Sequence, residues 1–253
     1  MKAYLCTYRQ RTPLLGELNA MSGASKGDDL LAKFLKEYQS SFYDWGDDPS
    51  FFAAKHMLHD VRSATWGVCR RDVRKELAEG DIVVFFCARQ VKQKSEWHYY
   101  FIGYGTVLEP VRRKDVWTKP RYAQFRSFYN VLANSQGRQD ETFHPYHKDW
   151  ERRAASPYII FDPKRSVFNL DSPRRVAKWR KQDRQEIWET DVVTKKIERL
   201  LFTERGIMDR RLRTSQTRYA HAKLNLLWDG KRERPGRPVP ELIEALGKLV
   251  FKL

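Results

Sequence analysis

The reading of this chain turns on Thr65-Trp66-Gly67-Val68-Cys69-Arg70-Arg71-Asp72-Val73-Arg74-Lys75-Glu76-Leu77-Ala78-Glu79-Gly80-Asp81, followed at once by the apolar run Ile82-Val83-Val84-Phe85-Phe86. A second run stands at Tyr99-Tyr100-Phe101-Ile102-Gly103-Tyr104-Gly105-Thr106-Val107. Cys69, Val73 and Leu77 share one helical face, so the first half predicts a short helix with its arginines turned to other faces. Gly80-Asp81 stops that helix and turns the chain into a strand over Ile82 to Ala88. His98 to Leu108 predicts a long return strand, with Gly103 and Gly105 marking a bulge or a close backbone approach. A tryptophan, a basic helix and two strands in that order suit a small β-barrel with a base-sized pocket beside a positive rim.

Outward from this centre, Ala3 to Tyr8 alternates as a first strand, and Asp28 or Asp29 caps a helix through about Gln39. Ser41 to Ser50 is a loop of aromatics and acids. Tyr122, Phe125, Phe128, Tyr129 and Leu132 form a helical stripe, and Pro157 to Phe161 a short apolar strand. The region after about Pro173 reads helical, with stripes at Val193 to Leu201, Tyr219 to Trp228 and Leu242 to Val250. Mixed elements first and helices last predict an α+β class with a helical extension.

The chain has 253 residues, 41% hydrophobic and 13% aromatic, enough for a sizeable core. Lys and Arg number 48 against 32 Asp and Glu, a formal net charge of +16. Such a charge favours polyanionic partners, because bound cations displace counterions from phosphates. Trp150 to Leu253 holds 25 basic and 14 acidic residues, and Met1 to Asp149 holds 23 and 18. The C-terminal part is thus the expected backbone grip. Cys6, Cys69 and Cys87 are scattered, with no CxxC, and read as core thiols in a reducing, cytoplasmic setting. No run of about 20 apolar residues suggests a membrane span, and the first residues do not read as a signal peptide.

Trp66-Gly67-Val68-Cys69-Arg70, the helix after it, Gly80-Asp81 with Phe85-Phe86, and Ile102-Gly103 through Val107 resemble the PUA-like superfamily. Within it the chain is similar to EVE domains and to nucleotide-modification-associated domains described around DNA modification and phage defence. The resemblance covers about Lys2 to Pro163. It implies a PUA-like open β-barrel with flanking helices over residues 1–165 and leaves 166–253 as a basic helical extension. It also implies recognition of a modified, flipped or single-stranded nucleobase in a barrel pocket, with DNA or RNA as partner and no cofactor. The sequence departs from the EVE pattern at Cys69 and in the long insertion between Tyr8 and Trp66.

A base pocket needs an aromatic wall and fixed polar groups. Trp66 is the expected stacking wall, its alternative being a hydrophobic staple over the helix. Trp45 is placed on the other side, Asp47 (or Asp48) as an acceptor for an exocyclic amine, and Tyr8 at the same mouth. Arg70 and Arg71 are expected at flanking phosphates, with Arg89 a third. Arg174, Arg175, Arg210 and Arg211 are expected phosphate contacts on the C-terminal part, among runs that otherwise form solvated faces. A rival enzyme reading uses His144, His147 and Asp149, where two imidazoles beside an acid suit proton transfer. Pro145 between the histidines argues against a shared helical face, and no third ligand is near, so no metal site is expected. No P-loop, GxSxG or dinucleotide fingerprint is present. The balance favours a binding module over an enzyme.

Overall fold

Ile82-Val83-Val84-Phe85-Phe86-Cys87-Ala88 is apolar at every position, the composition of a strand buried on both faces. The computed structural model places it there. It describes residues 1–9, 65–67, 70–92, 96–126, 155–168, 174–192, 195–196, 226–228, 245 and 248. Strand β3 (Ile82–Lys92) lies between a parallel β1 (Ala3–Arg9) and an antiparallel β4 (Glu96–Val111). Its alternate residues feed two separate cores. Ile82, Val84, Phe86 and Ala88 join Ala3, Leu5, Tyr99, Phe101 and Trp179. Val83, Phe85 and Cys87 join Tyr4, Cys6, Trp66, Ile102 and Phe161 on the other side. Cys6 and Cys87 are thus core residues, as their apolar neighbours predict; Cys69 lies outside the described residues.

The turn into β3 is built as expected. Gly80 takes a φ of 80°, a conformation that glycine adopts without steric cost. The Asp81 carboxylate accepts from the backbone amides of Lys2 (2.6 Å) and Ala78 (3.0 Å), tying the start of β1 to the turn. The predicted helix before it is one turn only, α1 (Arg71–Arg74), entered through Arg70 at φ 52°.

Strand β4 runs for 16 residues and organises the rest. It pairs with β3 over Glu96 to Thr106, with β5 (Tyr158–Phe161) at its C-terminal end, with β6 (Val167–Phe168) at Gly103 and Tyr104, and with β7 (Arg174–Gln182) over Glu96 to Phe101. Gly103 has a φ of 145°, and a Cβ there would collide with the Val167 carbonyl oxygen. The close approach anticipated from the sequence is therefore β6 crossing over Gly103. The register shift between Phe85 and Phe86 falls beside it. Strand β2 (Thr65–Trp66) pairs with β5, and β9 (Leu226–Trp228) pairs with β1.

The class is α+β, with β dominating among the described residues. Three expectations are corrected. Among the described residues the sheet is not closed into a barrel: its path runs β2-β5-β4-β3-β1-β9, and its two end strands do not pair with each other. Arg174–Thr190 is a hairpin, β7 with β8 (Gln185–Thr190), not helix, and it is hydrogen-bonded to β4 in the same sheet. Lysine and arginine are good helix formers, but Ala177 and Trp179 alternate with Lys178 and Arg180, and packing of that period-2 pattern decides. Leu226–Trp228, inside a predicted helical stripe, is likewise strand. The Tyr122 stripe begins in a 3-10 segment (Pro120–Phe125) that follows α2 (Arg113–Thr118), and its Tyr122 and Phe125 pack with Val116, Tyr158 and Ile160; Phe128, Tyr129 and Leu132 lie outside the described residues. No helix among the described residues is long and apolar enough to cross a membrane.

Candidate nucleic-acid interface

Two-residue alternation along β3, β4 and β7 sorts side chains onto one face or the other. Ala88, Tyr99 and Ala177 point into the first core, so Arg89, His98 and Lys178 point the opposite way. Register confirms the row: Arg89 stands opposite His98, His98 opposite Lys178, and Lys178 opposite Glu189. The next row is Cys87, Tyr100 and Arg175, and the row beyond His98 holds Glu96 and Arg180. A bulge in β7 between the Tyr99 and Tyr100 pairings makes this possible. It lets Val176 and Ala177 both enter the core and leaves Arg175 exposed on the Tyr100 side.

The face therefore has rings along its middle strand and cations on both neighbours. The His98 and Tyr100 rings lie 6.5 Å apart, tilted by 50°. Its two carboxylates among the described residues are held in ion pairs. Glu96 Oε1 accepts from His98 Nε2 at 2.7 Å and faces Lys178 Nζ at 3.5 Å. Those contacts, the His98 hydrogen bond first, hold the Glu96 carboxyl below its usual range, against a smaller opposing effect of burial. Glu189 faces Arg180 at 3.5 Å. Arg89 and Arg175 are exposed, and Arg184 adds an exposed cation at the hairpin tip. Residues 174–190 carry six basic and three acidic residues.

Of the residues singled out from sequence, Arg89 and Arg175 come together here, on either side of β4. Arg174 is on the opposite face and is paired with Asp191 at 2.9 Å. Tyr8 stands in β1 opposite Cys87. Arg71 is half-buried at the start of α1. Trp45, Asp47, Asp48, His144, His147, Asp149, Arg210 and Arg211 lie outside the described residues.

Two expectations about the Trp66 segment are corrected. Trp66 is 0% exposed. Pairing of β2 with β5 drives its indole into the second core, edge-on to Phe85 at 5.2 Å and nearly parallel to Phe161 at 6.5 Å. A ring enclosed in this way is not an open stacking wall, and its Nε1 has no hydrogen-bond partner among the described residues. Arg70 is turned onto Asp72, donating at 3.0 and 2.7 Å, instead of outward to phosphate.

The sequence reading missed Arg74 and Arg113, both buried. Arg74 donates to the Pro157 carbonyl at 2.5 Å, and Arg113 donates to the Gly67 carbonyl. Burial first, then repulsion from Arg74, pushes Arg113 well below the usual arginine range, with Tyr158 acting in the opposite sense. These guanidiniums fasten the chain on either side of β2 and β5. It also missed Tyr100, His98 and Glu96, whose signal is the alternation of polar and aromatic residues over Glu96-Trp97-His98-Tyr99.

No protein-family model, no curated protein and no solved structure matches this chain.

Proposed function

We propose that this protein is a nucleic-acid-binding module. The observation that carries the reading is the in-register face of β3, β4 and β7, where Arg89, Lys178, Arg175 and Arg180 flank two rings on one side of a sheet. Cations fixed on a rigid sheet lose little freedom on meeting phosphates, and they release counterions when they do. The formal charge of +16 adds long-range attraction of the same sign.

The PUA-like resemblance belongs to this proposal. It supplies the idea that specificity lies in an unpaired, flipped or modified base, and that the setting is DNA modification or phage defence. The position of Trp66 before a basic helix suggests a base beside it; with that indole enclosed, recognition by Trp66 is not part of the proposal.

The test is equilibrium binding of the full chain to labelled DNA and RNA, with and without base modifications, across a salt series. The logarithm of the affinity falls linearly with log salt, and each cation removed lessens the slope by about 0.7–0.9. Arg175→Gln and Lys178→Gln each flatten the slope by that amount. An affinity insensitive to salt and to both substitutions rejects the proposal.

A further inference from the structure

Past the last residue of β4 the chain reads Arg112-Arg113-Lys114-Asp115-Val116-Trp117-Thr118-Lys119-Pro120-Arg121, five basic residues and one acidic. We infer that this segment, α2 with the start of the 3-10 turn, is a second surface for the phosphodiester backbone of nucleic acid, contacted by Arg112, Lys114, Lys119 and Arg121; this rests on the proposed nucleic-acid binding.

Side chains along this segment are sorted by depth. Arg113 and Val116 are buried and Trp117 is half-buried, so they fasten the segment to the body of the protein. The other cations stay outside. The side chains of Arg112, Lys119 and Arg121 are 70%, 47% and 62% exposed, and Lys114 is exposed as well. Asp115 lies beneath them, its side chain only 10% exposed. Its Oδ2 accepts from Arg112 Nε at 3.0 Å and faces Lys119 Nζ at 3.3 Å, and its Oδ1 accepts from Arg112 Nη2 at 3.1 Å. One sunken carboxylate thus draws two cations together. Glu109 steadies the third: it accepts from Arg121 Nη2 at 2.7 Å, and that guanidinium also lies over the Tyr122 ring, 4.6 Å from its centre.

An approaching anion therefore meets the cations before it meets Asp115. Arg112 bonds Asp115 through Nε and Nη2, which leaves Nη1 among its donors for an outside acceptor. Cations already held in place lose little freedom on meeting phosphates. Several of them along a short segment match an anion that repeats, as a nucleic-acid backbone does. A membrane surface fits less well. No large apolar side chain between Arg112 and Arg121 is exposed, and a helix lying in a lipid interface needs an apolar face to bury there. The surface is also distinct from the face of β3, β4 and β7. The β7 hairpin pairs with Glu96 to Phe101, whereas α2 begins beyond Val111, at the opposite end of the same strand. Substitutions in the segment leave Arg175 and Lys178 in place.

The experiment measures binding of the full chain to labelled DNA and RNA across a salt series for wild type and three variants. Lys114→Gln, Lys119→Gln and Arg121→Gln combined weaken binding on every sequence and lessen the salt slope by about 2 to 3. Lys114→Gln alone lessens it by about 0.7–0.9. That single variant guards against misfolding of the triple one, because the Lys114 side chain makes no contact among the described residues. Lys164→Gln, Arg165→Gln and Lys196→Gln combined remove the same charge from exposed positions elsewhere and change the slope much less. A wild-type slope in both Lys114 variants overturns the inference and leaves nucleic-acid binding in place. An equal loss in the variant changed at 164, 165 and 196 also overturns it, since net charge then suffices. So does binding to phosphatidylserine–phosphatidylcholine vesicles that the first triple variant loses while its nucleic-acid slope stays at the wild-type value. Absence of wild-type binding to DNA and RNA overturns the inference together with the proposed function.

Discussion

The indole of Trp66 meets the ring of Phe85 edge to face, with centroids 5.2 Å apart and planes at 87°. That contact, with Phe161 nearly parallel on another side, makes Trp66 a keystone between β2 and β3. Trp66→Ala is expected to cost about 3–5 kcal/mol of stability, the usual toll for truncating a buried tryptophan. Trp66→Phe costs less, because the lost Nε1–H has no hydrogen-bond partner among the described residues. Denaturant unfolding checks both. Trp66→Ala with an unchanged unfolding midpoint would show that the indole is not packed as described.

Gly103 tests the crossing of β6 over β4. Its φ of 145° disfavours any side chain, and an added Cβ collides with the Val167 carbonyl. Gly103→Ala is expected to destabilise by on the order of 2 kcal/mol or more. Hydrogen exchange should quicken first at Val167 and Phe168, which pair with Tyr104 and Gly103. Gly80→Ala makes a useful contrast, since only its φ of 80° is strained and nothing lies within 4 Å of the new Cβ. Similar exchange at β6 in Gly103→Ala and wild type would remove the close approach from the account.

What could be read from the sequence follows from how local each signal is. The apolar run at Ile82, the Gly80-Asp81 turn and the glycines of β4 are short-range patterns, and all three sit where expected. The stretch 174–190 reads as helix because its lysines and arginines suit helices on the surface, whereas its pairing with Glu96 to Phe101 is set across about 73 to 84 residues of chain. The same distance hides the candidate face. Arg89 and Arg175 were picked out for charge alone, but only register brings them beside Tyr100 and His98. Trp66 failed in the opposite way. Its place before a basic helix suggests a cleft mouth, and only the pairing Trp66 with Ile159 turns it inward.

Arg113 is the buried group whose removal should be felt most locally. It donates to the Gly67 carbonyl and lies 5.9 Å from the centre of the Tyr158 ring. Arg113→Ala leaves a buried carbonyl without this donor and is expected to cost about 1–3 kcal/mol. Arg113→Lys restores little, because a flexible ammonium replaces neither the planar fork nor its packing on the ring. Thermal unfolding of the two variants should give similar losses. Full recovery in Arg113→Lys would reduce the role of Arg113 to charge alone.

Stability should fall at both ends of the pH scale, for opposite reasons of sign. Glu96 is held below its ordinary 4.5 first by the His98 hydrogen bond, and Asp115 below 3.8 first by hydrogen bonding from Arg112. A carboxyl lowered in the folded state contributes stability that is present above its unfolded value and is lost as pH drops through the folded one. Both are partly solvated, so the acid loss is modest. At the alkaline end, burial first, then the Asp81 charge, pushes Tyr4 up to about 12. Burial first, then the hydrogen bond to Glu109, does the same to Tyr122. A raised phenol contributes stability that is complete below 10 and is lost as pH rises from 10 through about 12. Phenolate absorbance should therefore show late-titrating tyrosines in folded protein and a single step near 10 in denaturant. Glu96→Gln should flatten the acid limb while leaving the alkaline limb in place. A folded protein whose tyrosines all ionise near 10 would contradict the burial of Tyr4 and the Tyr122–Glu109 contact alike.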